Sequence, residues 1–360
     1  MKVGYVPYAK DLQHPGDRRR LAAWALNQDT ELNLVNPLDS DLLVLSNAAN
    51  FGYWLKRAKQ PVVLDLVDGY LGEHPSFIKD VARNVIRSIR GTSSLRWITY
   101  TNHIRTACRK SEAVIVASKE QRDVVLKYNK NVFVILDDHT EMDAATPANG
   151  TSMPLSTQQL KSRYLFWEGY GYTLKHFQVI ANELDKFLLE SGWGLYLLTN
   201  EEFPRWGGYI GKVRTRKLIK KWFPLSEQMI EIIPWSIENV IKFANLSTLG
   251  LIPIDSRDKF AVLKPENKLL SMWHLGLPVL FSNTPAYSRV AAKSQQEAAC
   301  LEEGEWFRAL VKYSQSSDDR EELRKFGLTY ISKEHSHNIL MRKWNDTLRE
   351  IINSSSQSHQ

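Results

Sequence analysis

The sequence contains no long hydrophobic run and few cysteines. Although 43% of the 360 residues are hydrophobic, no stretch approaches the roughly 18–20 apolar residues that span a bilayer. The residues after Met1 contain no long apolar segment followed by a small-residue cleavage site, so no signal peptide is predicted. The two cysteines, Cys108 and Cys300, lie far apart and match no zinc or redox spacing. We therefore expect a cytoplasmic protein with two free thiols, and a disulfide between them is the alternative.

The chain also lacks the acidic excess that is common among intracellular proteins. It carries 47 lysines and arginines against 40 acidic residues, which gives a net charge of +7. Nucleic acid, anionic lipid and phosphorylated substrates would all complement this charge. The 11 tryptophans add aromatic faces, which suit both sugar rings and membrane interfaces.

Short apolar runs alternate with helical patterns through the first part of the chain. Buried strands are predicted at Val3–Pro7, Leu42–Ser46, Pro61–Leu66, Ala113–Ala117 and Val132–Leu136. Helices are predicted at Arg18–Asn27, Phe51–Ala58, Pro75–Arg90 and Lys119–Tyr128. Strands that alternate with helices in this way indicate βαβ units and a parallel, doubly wound sheet.

A polar stretch separates this pattern from a second alternation. Its predicted strands are Tyr164–Trp167, Leu195–Thr199, Met229–Ile233, Leu249–Ile254 and Pro278–Phe281, and its predicted helices are Leu174–Ser191, Ser236–Ala244 and Asn267–His274. We therefore predict an α/β protein with two Rossmann-like doubly wound domains, at 1–140 and 163–330, joined by a linker at 141–162. A helix at 331–352 that packs back on the first domain, and a disordered tail at 353–360, would complete the chain. Open parallel sheets bind ligands outside the carboxyl ends of their strands, so we expect the site in a cleft between the two domains.

Residues 259–290 predict a phosphate-binding unit of strand, loop, helix and strand. A loop follows the strand that ends near Asp255, and both Pro265 and Asn267 suit the start of a helix. Lys259, Lys264 and Lys268 would then converge on the N-terminal end of that helix, which offers free backbone N–H groups and about half a positive charge. Because the helix dipole disfavours cations there, their clustering predicts a bound anion. A solvated, lysine-rich loop is the alternative interpretation.

This segment resembles the donor-binding segment of GT-B glycosyltransferases. Residues 264–280 read KPENKLLSMWHLGLPVL, a helix followed by Gly-x-Pro-Val, and residues 282–287 fit the loop that follows in the family. Ser271 stands where many retaining members carry a glutamate, so the sequence is more similar to a Lys-x-x-Asn-Lys branch among bacterial polysaccharide-building enzymes. The resemblance implies that the donor nucleotide and phosphates are held by Lys259, Lys264, Asn267, Lys268, Glu168 and Gly169. Glu168 and Gly169 belong to the opening turn of the second domain, where a plain strand-ending turn is the alternative.

Several polar residues follow strands of the first domain. His14, Arg18 and Arg19 come after the first strand, where Asp17 would cap a helix that begins at Arg18. Arg18 or Arg19 could hold a donor or acceptor phosphate through paired hydrogen bonds, or could face solvent. Asp68 ends another strand and is our first candidate for the base that an inverting transfer needs, with His14 as the second. A structural role at a strand end is the alternative for Asp68.

The stretch Lys79–Lys110 is basic and rich in aromatic and branched residues. Its cations are Lys79, Arg83, Arg87, Arg90, Arg96, Arg105, Arg109 and Lys110, against a single carboxylate at Asp80. The spacing from Arg83 to Arg90 predicts one basic helical face. Such a surface suits peripheral contact with an anionic membrane, where a lipid-linked acceptor would be found. A solvated helix face is the alternative.

The pattern as a whole predicts an enzyme that moves a sugar from a UDP- or GDP-linked donor to a glycan or lipid-linked acceptor. No cofactor or metal is assigned, because we expect no Asp-x-Asp metal motif in the chain, and the lysines and the helix dipole would replace the ion at the leaving diphosphate. A sugar-nucleotide epimerase of the same fold is one alternative. A basic nucleic-acid-binding protein or an inactive scaffold is another, although no recognised nucleic-acid module is present and no nucleic-acid partner is expected. The sugar, the base and the stereochemistry stay open.

Overall fold

The computed structural model describes residues 1–71, 77–94, 98–145, 162–204 and 211–358. The chain folds into two compact units. Unit 1 contains Met1–Asp138, Lys259–Pro265 and His335–Gln360, and unit 2 contains His139–Asp258 and Glu266–Glu334. Within the described ranges, no helix is both long enough and apolar enough to cross a membrane.

Unit 1 contains a six-stranded parallel sheet with the strand order β2-β1-β3-β4-β5-β6. The strands are β1 Val3–Val6, β2 Leu32–Asn33, β3 Leu42–Ser46, β4 Val62–Leu66, β5 Ala113–Val116 and β6 Val132–Val134. The chain runs from β1 to β2 on one side and continues with β3 on the other side of β1. The strand order therefore reverses between β1 and β3.

Unit 2 contains a second six-stranded parallel sheet, with the order β11-β8-β7-β12-β13-β14, and a separate two-stranded ribbon. The strands are β7 Tyr164–Glu168, β8 Gly194–Thr199, β9 Glu202–Pro204, β10 Lys212–Arg214, β11 Ile230–Pro234, β12 Leu249–Ile252, β13 Val279–Ser282 and β14 Cys300–Leu301. Strands β9 and β10 pair with each other in antiparallel fashion. In the large sheet the strand order reverses between β7 and β12.

Helices connect the strands of both sheets. They are α1 Pro15–Arg18, α2 Leu21–Asn27, α3 Phe51–Arg57, α4 Phe77–Ile89, α5 Tyr100–Lys110, α6 Lys119–Val125, α7 Ala181–Ser191, α8 Thr215–Trp222, α9 Ile237–Asn245, α10 Asn267–His274, α11 Pro285–Ser294, α12 Trp306–Gln315, α13 Ser317–Glu334 and α14 His337–Ser358. Many helix starts carry a local capping signal. The side chains of Thr99, Ser118 and Thr284, for example, accept the backbone N–H three residues further on.

Both faces of the unit 1 sheet are covered, because successive side chains of a strand point to opposite sides. Val44 belongs to a core that includes residues of α2 and α14, among them Trp24 and Trp344. Leu43 and Leu45 belong to the core on the other face, which α3, α5 and α6 cover. The result is a three-layer α/β/α arrangement, and it confirms the predicted doubly wound fold class for this unit.

The predicted strands lie within a few residues of the observed ones, but the helices differ at several points. The predicted helix Leu174–Ser191 is wrong as a single element, because a 3₁₀ helix covers Gly171–Val179 and α7 begins only after Ile180. The φ of −121° at Ile180 departs from helical geometry and interrupts the helix. Residues 282–287 are not all loop, because Pro285 begins α11. The helix α5 was not predicted at all, although Thr99 marks its start.

The C-terminal part of the chain returns to unit 1. A helix was expected at 331–352, whereas α13 ends at Glu334 and α14 begins at His337. The expected disordered tail from Asn353 is helical up to Ser358, since α14 continues through it. Ile351 is buried in the core that α14 shares with α2, which anchors this last stretch of helix. Most of the expected linker, 146–161, lies outside the described residues.

Candidate functional site

The reversal of strand order in unit 2 places two strand ends side by side. Strand β7 ends at Glu168, and Gly169 follows it. Strand β12 is the parallel neighbour of β7 in the sheet. In open parallel sheets the crevice outside the carboxyl ends at such a reversal is the usual ligand site. Glu168 and Gly169 therefore occupy the position in unit 2 where a ligand is expected.

Gly169 leaves space that Lys268 uses. A Cβ atom at Gly169 would lie 2.7 Å from Lys268 Nζ and 3.0 Å from the Trp167 ring, and the residue has a φ of +157°. Lys268 Nζ lies 4.5 Å from the centroid of the Trp167 ring. The structure thus brings Lys268, from the first turn of α10, to the turn after β7. Any side chain larger than hydrogen at residue 169 would displace this ammonium group.

The start of α10 carries a buried ion pair. Glu266 precedes the helix, and its side chain is only 2% exposed. Its Oε1 lies 3.1 Å from Nη1 of Arg289 on α11. The guanidinium balances the carboxylate next to the helix N-terminus. Beside it, Oδ1 of Asn267 is buried and has no hydrogen-bond partner among the described residues. Buried side-chain acceptors usually have a hydrogen-bond partner, so this oxygen is an exception.

Further side chains of this region were not predicted from the sequence. Trp235 Nε1 donates a hydrogen bond of 3.0 Å to Oε2 of Glu168, across 67 residues of chain. Burial raises the pKa of Tyr287, and the charges of Glu266 and Glu168 raise it further. Tyr287 therefore stays a neutral phenol beside two carboxylates. No local pattern in the sequence could have shown these contacts, because their partners come from separate elements.

Lys259 and Lys264 belong to unit 1, whereas Asn267 and Lys268 belong to unit 2. The three lysines are thus divided between the two units. The loop 259–265 docks on the carboxyl ends of β4 and β5 in unit 1. Ser118 Oγ donates a hydrogen bond of 3.1 Å to the Leu263 carbonyl. A Cβ atom at Gly69 would lie only 2.9 Å from the Cβ of Leu263.

This docking brings Lys264 to Asp68. Lys264 Nζ lies 3.5 Å from Oδ1 of Asp68, and the two side chains are 29% and 36% exposed. Lys264 Nζ also lies 5.1 Å from the centroid of the Phe260 ring. Lys259 is exposed in the same loop. The first candidate for the catalytic base therefore has an ammonium group as its neighbour.

His14 begins α1 and serves as its cap. Its Nδ1 accepts a hydrogen bond of 3.0 Å from the Gly16 backbone, and its ring stacks on Tyr8 at 4.6 Å between centroids. Partial burial lowers the pKa of His14. The neutral ring then carries its proton on Nε2, since Nδ1 accepts. In this tautomer Nε2 can donate a hydrogen bond to a ligand but cannot take a proton from one.

The arginines after β1 have different surroundings. Arg18 is half-buried, and its Nη1 donates to the Gln13 carbonyl at 2.7 Å. The carbonyl of Arg19 accepts the backbone N–H of Asp138 at 2.7 Å. Arg20, which was not predicted as a functional residue, is fully buried.

Arg20 lies at the centre of a buried ionic network. Its Nη2 lies 2.6 Å from Oδ1 of Asp65, and its Nη1 lies 2.9 Å from Oδ1 of Asp137. Nη1 also donates to the Ile135 carbonyl at 2.7 Å. Burial raises the pKa of Asp137 although Arg20 opposes the shift. The network connects α2 with the ends of β4 and β6.

Asp17 does not cap a helix, and that prediction was wrong. The helix α1 begins at Pro15 with His14 as its cap. The Asp17 carboxylate is fully buried and accepts hydrogen bonds from the Tyr5 hydroxyl at 2.6 Å and from the backbone of Tyr8 at 2.9 Å. Its role is to hold the loop after β1.

The expectation that the chain has no Asp-x-Asp motif was wrong, because Asp39 and Asp41 in unit 1 have this spacing. Asp39 and Asp41 instead bind Lys2, with Asp39 Oδ2 2.6 Å from Lys2 Nζ and Asp41 Oδ2 accepting the Lys2 backbone N–H at 2.7 Å. Both lie before β3, at the end of the sheet opposite to the carboxyl ends of its strands. They are therefore structural residues.

No family model matches the sequence, and no curated protein is detectably similar to it in sequence. Solved structures, however, share its fold. S. aureus TarM in complex with fondaparinux, alpha-GlcNAc-glycerol and UDP has a TM-score of 0.56 at 9% identity, over 85% of this chain and 55% of that chain. A glycosyltransferase from Rickettsia africae has a TM-score of 0.55 at 12% identity, over 96% and 84%.

WaaG, a glycosyltransferase involved in lipopolysaccharide biosynthesis, has a TM-score of 0.50 at 11% identity, over 94% of this chain and 96% of that chain. The present chain spans about half the length of TarM, with 55% of that chain covered. At such low identities the likeness shows the fold alone. The chain has the two-sheet α/β fold of GT-B glycosyltransferases, which confirms the predicted fold class.

Proposed function

We propose that the protein is a glycosyltransferase that moves a sugar from a UDP- or GDP-linked donor to a glycan or lipid-linked acceptor. The observation that carries the proposal is the reversal of strand order in unit 2, where Gly169 leaves room for Lys268 at the carboxyl end of β7. The fold that the chain shares with WaaG and with the UDP complex of TarM supports the same assignment.

The donor diphosphate would lie over the turn after β7. The absence of a side chain at Gly169 lets a phosphate approach the backbone closely. Lys268 supplies positive charge there, and Asn267 adds polar groups whose Oδ1 lacks a partner among the described residues. Glu168, held by Trp235, would accept hydrogen bonds from hydroxyl groups of the ribose or of the sugar.

Departure of the nucleoside diphosphate is the step that these residues would accelerate. Negative charge grows on the phosphate oxygens as the bond to the anomeric carbon breaks. Lys268 and the N-terminal N–H groups of α10 are fixed donors for that charge. Arg289 neutralises Glu266, so this carboxylate does not oppose the developing charge. The proposal therefore assigns the work to side chains and backbone and requires no metal ion.

On the side of the acceptor, the geometry favours different roles for the two base candidates. His14 would donate a hydrogen bond from Nε2 to the acceptor or to a phosphate, because its Nδ1 is occupied. Asp68 is the carboxylate that remains for proton removal, and its Oδ1 lies 3.5 Å from Lys264 Nζ. Arg18 and Arg19 lie after the same strand as His14 and would add positive charge for a phosphorylated acceptor.

The proposal also includes contact with an anionic membrane through α4. Phe77, Ile78 and Ile89 of this helix are 67%, 78% and 79% exposed. Lys79, Arg83 and Arg90 are exposed as well. An apolar stripe next to exposed cations suits insertion at a lipid interface. The predicted single basic face is incomplete, because Arg87 turns inward to the Asn47 carbonyl and the Tyr100 ring; Arg96 and Trp97 lie outside the described residues.

Nucleotide binding by the purified protein tests the donor site. We expect UDP or GDP to raise the melting temperature and to bind in calorimetry, with EDTA present, while CMP serves as a comparison. Lys268→Met should weaken the affinity about tenfold or more, because a charge-assisted hydrogen bond is lost. Lys217→Met, which removes an exposed lysine of α8, should leave the affinity unchanged. The absence of binding by every nucleotide, or unchanged binding by Lys268→Met, would overturn the assignment.

The reaction itself separates transfer from epimerisation. With the nucleotide sugar that binds best, a transferase releases the nucleoside diphosphate when an acceptor is added. An epimerase would instead convert the nucleotide sugar into its epimer without any acceptor. Formation of an epimer in the absence of acceptor would therefore refute transferase activity while leaving the donor site intact.

A further inference from the structure

The helix α8 of unit 2 presents a basic face to solvent. It covers Thr215–Trp222 and contains no acidic residue. Its exposed positions all carry a cation, and they are Arg216, Lys217, Lys220 and Lys221. Their spacing of one, three and four residues places these side chains on one side of the helix. Thr215 and Ile219 are fully buried on the opposite side, so the helix is anchored to unit 2 and the cations point outward.

Strand β10 leads directly into α8 and adds two exposed cations, Lys212 and Arg214. Glu202 of β9 serves both of them, with its Oε1 3.0 Å from Arg214 Nε and its Oε2 3.6 Å from Lys212 Nζ. The lysines of α8 have no such counterion. Among the described residues, Lys217, Lys220 and Lys221 form no ion pair. Positive charge therefore prevails over this surface.

The distribution of charge on α8 costs stability. Lys217 and Lys221 stand four residues apart, as do Arg216 and Lys220, and like charges at this spacing destabilise a helix. The first turn contains cations and no acidic residue, although the positive end of the helix dipole lies there. A helix face that only contacts water is usually stabilised by charges of both signs. The uniform charge of this face therefore indicates an anionic partner.

Two apolar side chains are exposed near the C-terminal end of α8. Leu225 is 54% exposed and follows Lys221 by four residues. Its backbone N–H donates a hydrogen bond of 3.2 Å to Oδ2 of Asp185 on α7. Leu189, one turn further along α7, is 46% exposed. Cations next to exposed leucines are typical of surfaces that bind lipid headgroups and acyl chains together, whereas binding to a nucleic-acid backbone requires only the cations.

We propose that the basic face of α8 binds the surface of an anionic phospholipid membrane. Lys217, Lys220 and Lys221 lie at the level of the lipid phosphates, and Leu225 enters the boundary between headgroups and acyl chains. Unit 2 makes this contact, which is additional to the one proposed for α4 of unit 1. It depends neither on sugar transfer nor on a nucleotide at the donor site.

Vesicle flotation of the full-length protein tests this proposal. Phosphatidylcholine vesicles would be compared with vesicles that also contain phosphatidylglycerol, and we expect tighter binding to the latter. Lys217→Gln/Lys221→Gln should lower that affinity at least about tenfold, because each lysine near such a surface contributes about fivefold. The matched control is Lys325→Gln/Lys333→Gln, at exposed lysines of α13 in the same unit. It makes the same change in net charge and should bind like the wild type.

The stability of the same variant separates binding from folding. Lys217→Gln/Lys221→Gln removes a pair of like charges at helical spacing, so the free energy of unfolding should equal that of the wild type or exceed it. Urea titration in the absence of lipid is the measurement. A lower free energy of unfolding would show that these lysines stabilise the fold, and it would contradict the inference that their charge serves a partner.

A second substitution separates a membrane from a soluble polyanion. Leu225→Ser should lower the affinity for phosphatidylglycerol vesicles about threefold or more, because less apolar surface is buried in lipid. It should leave any binding of polyuridylate unchanged. Leu26→Ser, at a residue that is 85% exposed in unit 1, should bind vesicles like the wild type.

Two results would overturn the assignment to lipid. One is vesicle binding that is equal in the wild type and in Lys217→Gln/Lys221→Gln. The other is binding of polyuridylate that depends on these lysines while vesicle binding does not change with Leu225. Binding of UDP or GDP in the same preparations reports on the donor site alone, so failure of the proposed function would be recognised separately.

Discussion

Lys264 Nζ lies 3.5 Å from Asp68 Oδ1, so a cation from the loop 259–265 is paired with a carboxylate at the end of β4. Both residues had been assigned to the site from the sequence, but to different tasks. Lys264 was assigned to the donor phosphates and Asp68 to the acceptor hydroxyl. Since they are in contact in unit 1, we propose that they act as one pair.

Removal of this pair should affect catalysis more than stability. Both side chains are about one third exposed, and an ion pair of this kind contributes only about 0.2–1 kcal/mol to the free energy of unfolding. We expect Asp68→Asn and Lys264→Met to unfold like the wild type within that range, while kcat falls at least about tenfold in each. Urea titrations and steady-state rates of the single and double variants would decide this. Equal losses of stability and activity would contradict a catalytic role.

The docking of the loop depends on Gly69. A Cβ atom there would lie 2.9 Å from Leu263 Cβ and 3.3 Å from the Phe260 carbonyl oxygen. We expect Gly69→Ala to reduce the free energy of unfolding by about 1–3 kcal/mol, since the loop must shift. Adding Leu263→Gly, which removes the clashing Cβ, should cost less stability in the Gly69→Ala background than in the wild type. Gly52→Ala in α3, where the nearest atom lies 3.5 Å away, should show no loss.

The Arg20 network should be among the most sensitive points of unit 1. Arg20→Met leaves Asp65 buried without its bidentate partner, and breaking a buried pair in this way costs about 3–5 kcal/mol. Arg20→Lys should recover little, because an ammonium cannot reproduce the planar two-point contact. Chemical denaturation is the measurement. Arg18→Met, at a half-buried arginine nearby, should change stability by less than about 0.5 kcal/mol.

His103 should make the stability depend on pH. Its pKa in the folded protein is about 4, below the value of about 6.5 in an unfolded chain. Above pH 6.5 both states are neutral and the stability is full. As the pH falls through this interval the unfolded chain takes up a proton that the folded protein refuses, so about 3 kcal/mol is lost by pH 4. Unfolding of wild type and His103→Phe at about pH 7.5 and about pH 4.5 would isolate this contribution, which the variant should lack.

The apolar stripe of α4 should govern vesicle binding. Ile78→Glu/Ile89→Glu places two carboxylates on the exposed stripe, and we expect partition onto phosphatidylglycerol vesicles to fall at least about tenfold. The matched control is Leu26→Glu/Val35→Glu, at residues that are 85% and 98% exposed elsewhere in unit 1. Vesicle flotation of both variants would test this, after their melting temperatures have been shown to equal that of the wild type. Equal loss in the two variants would indicate a nonspecific charge effect and refute the role of α4.

The sequence predicted the two sheets because their signals are local. The strand Leu42–Ser46 and the helix Asn267–His274 coincide with β3 and α10, since an apolar run and a periodic pattern depend only on neighbours in sequence. The missed helix α5 also had local signals, a cap at Thr99 and buried residues at helical spacing. Its basic composition was interpreted as part of a membrane-contact surface instead.

The candidate site could be predicted only in part from such local signals. Glu168, Gly169, Asn267 and Lys268 could be proposed as site residues because strand ends and helix starts can be located in a sequence. Trp235 and Arg289 were not, since each binds a residue far away along the chain. The capping role of Asp17 was wrong because three donors of the loop after β1 compete for its carboxylate.

The sequence by itself determined the α/β class and the two alternations, and it predicted Gly169 and Lys268 as candidate donor-binding residues. Apolar runs, caps and glycines act within a few residues, so they can be found without coordinates. Only the tertiary structure decided that Lys264 is the partner of Asp68, that Arg20 is buried between Asp65 and Asp137, and that the His103 ring is buried against Phe51. Each of these depends on contacts between distant segments, which form when the sheet and its helices pack and which leave no periodic trace in the chain.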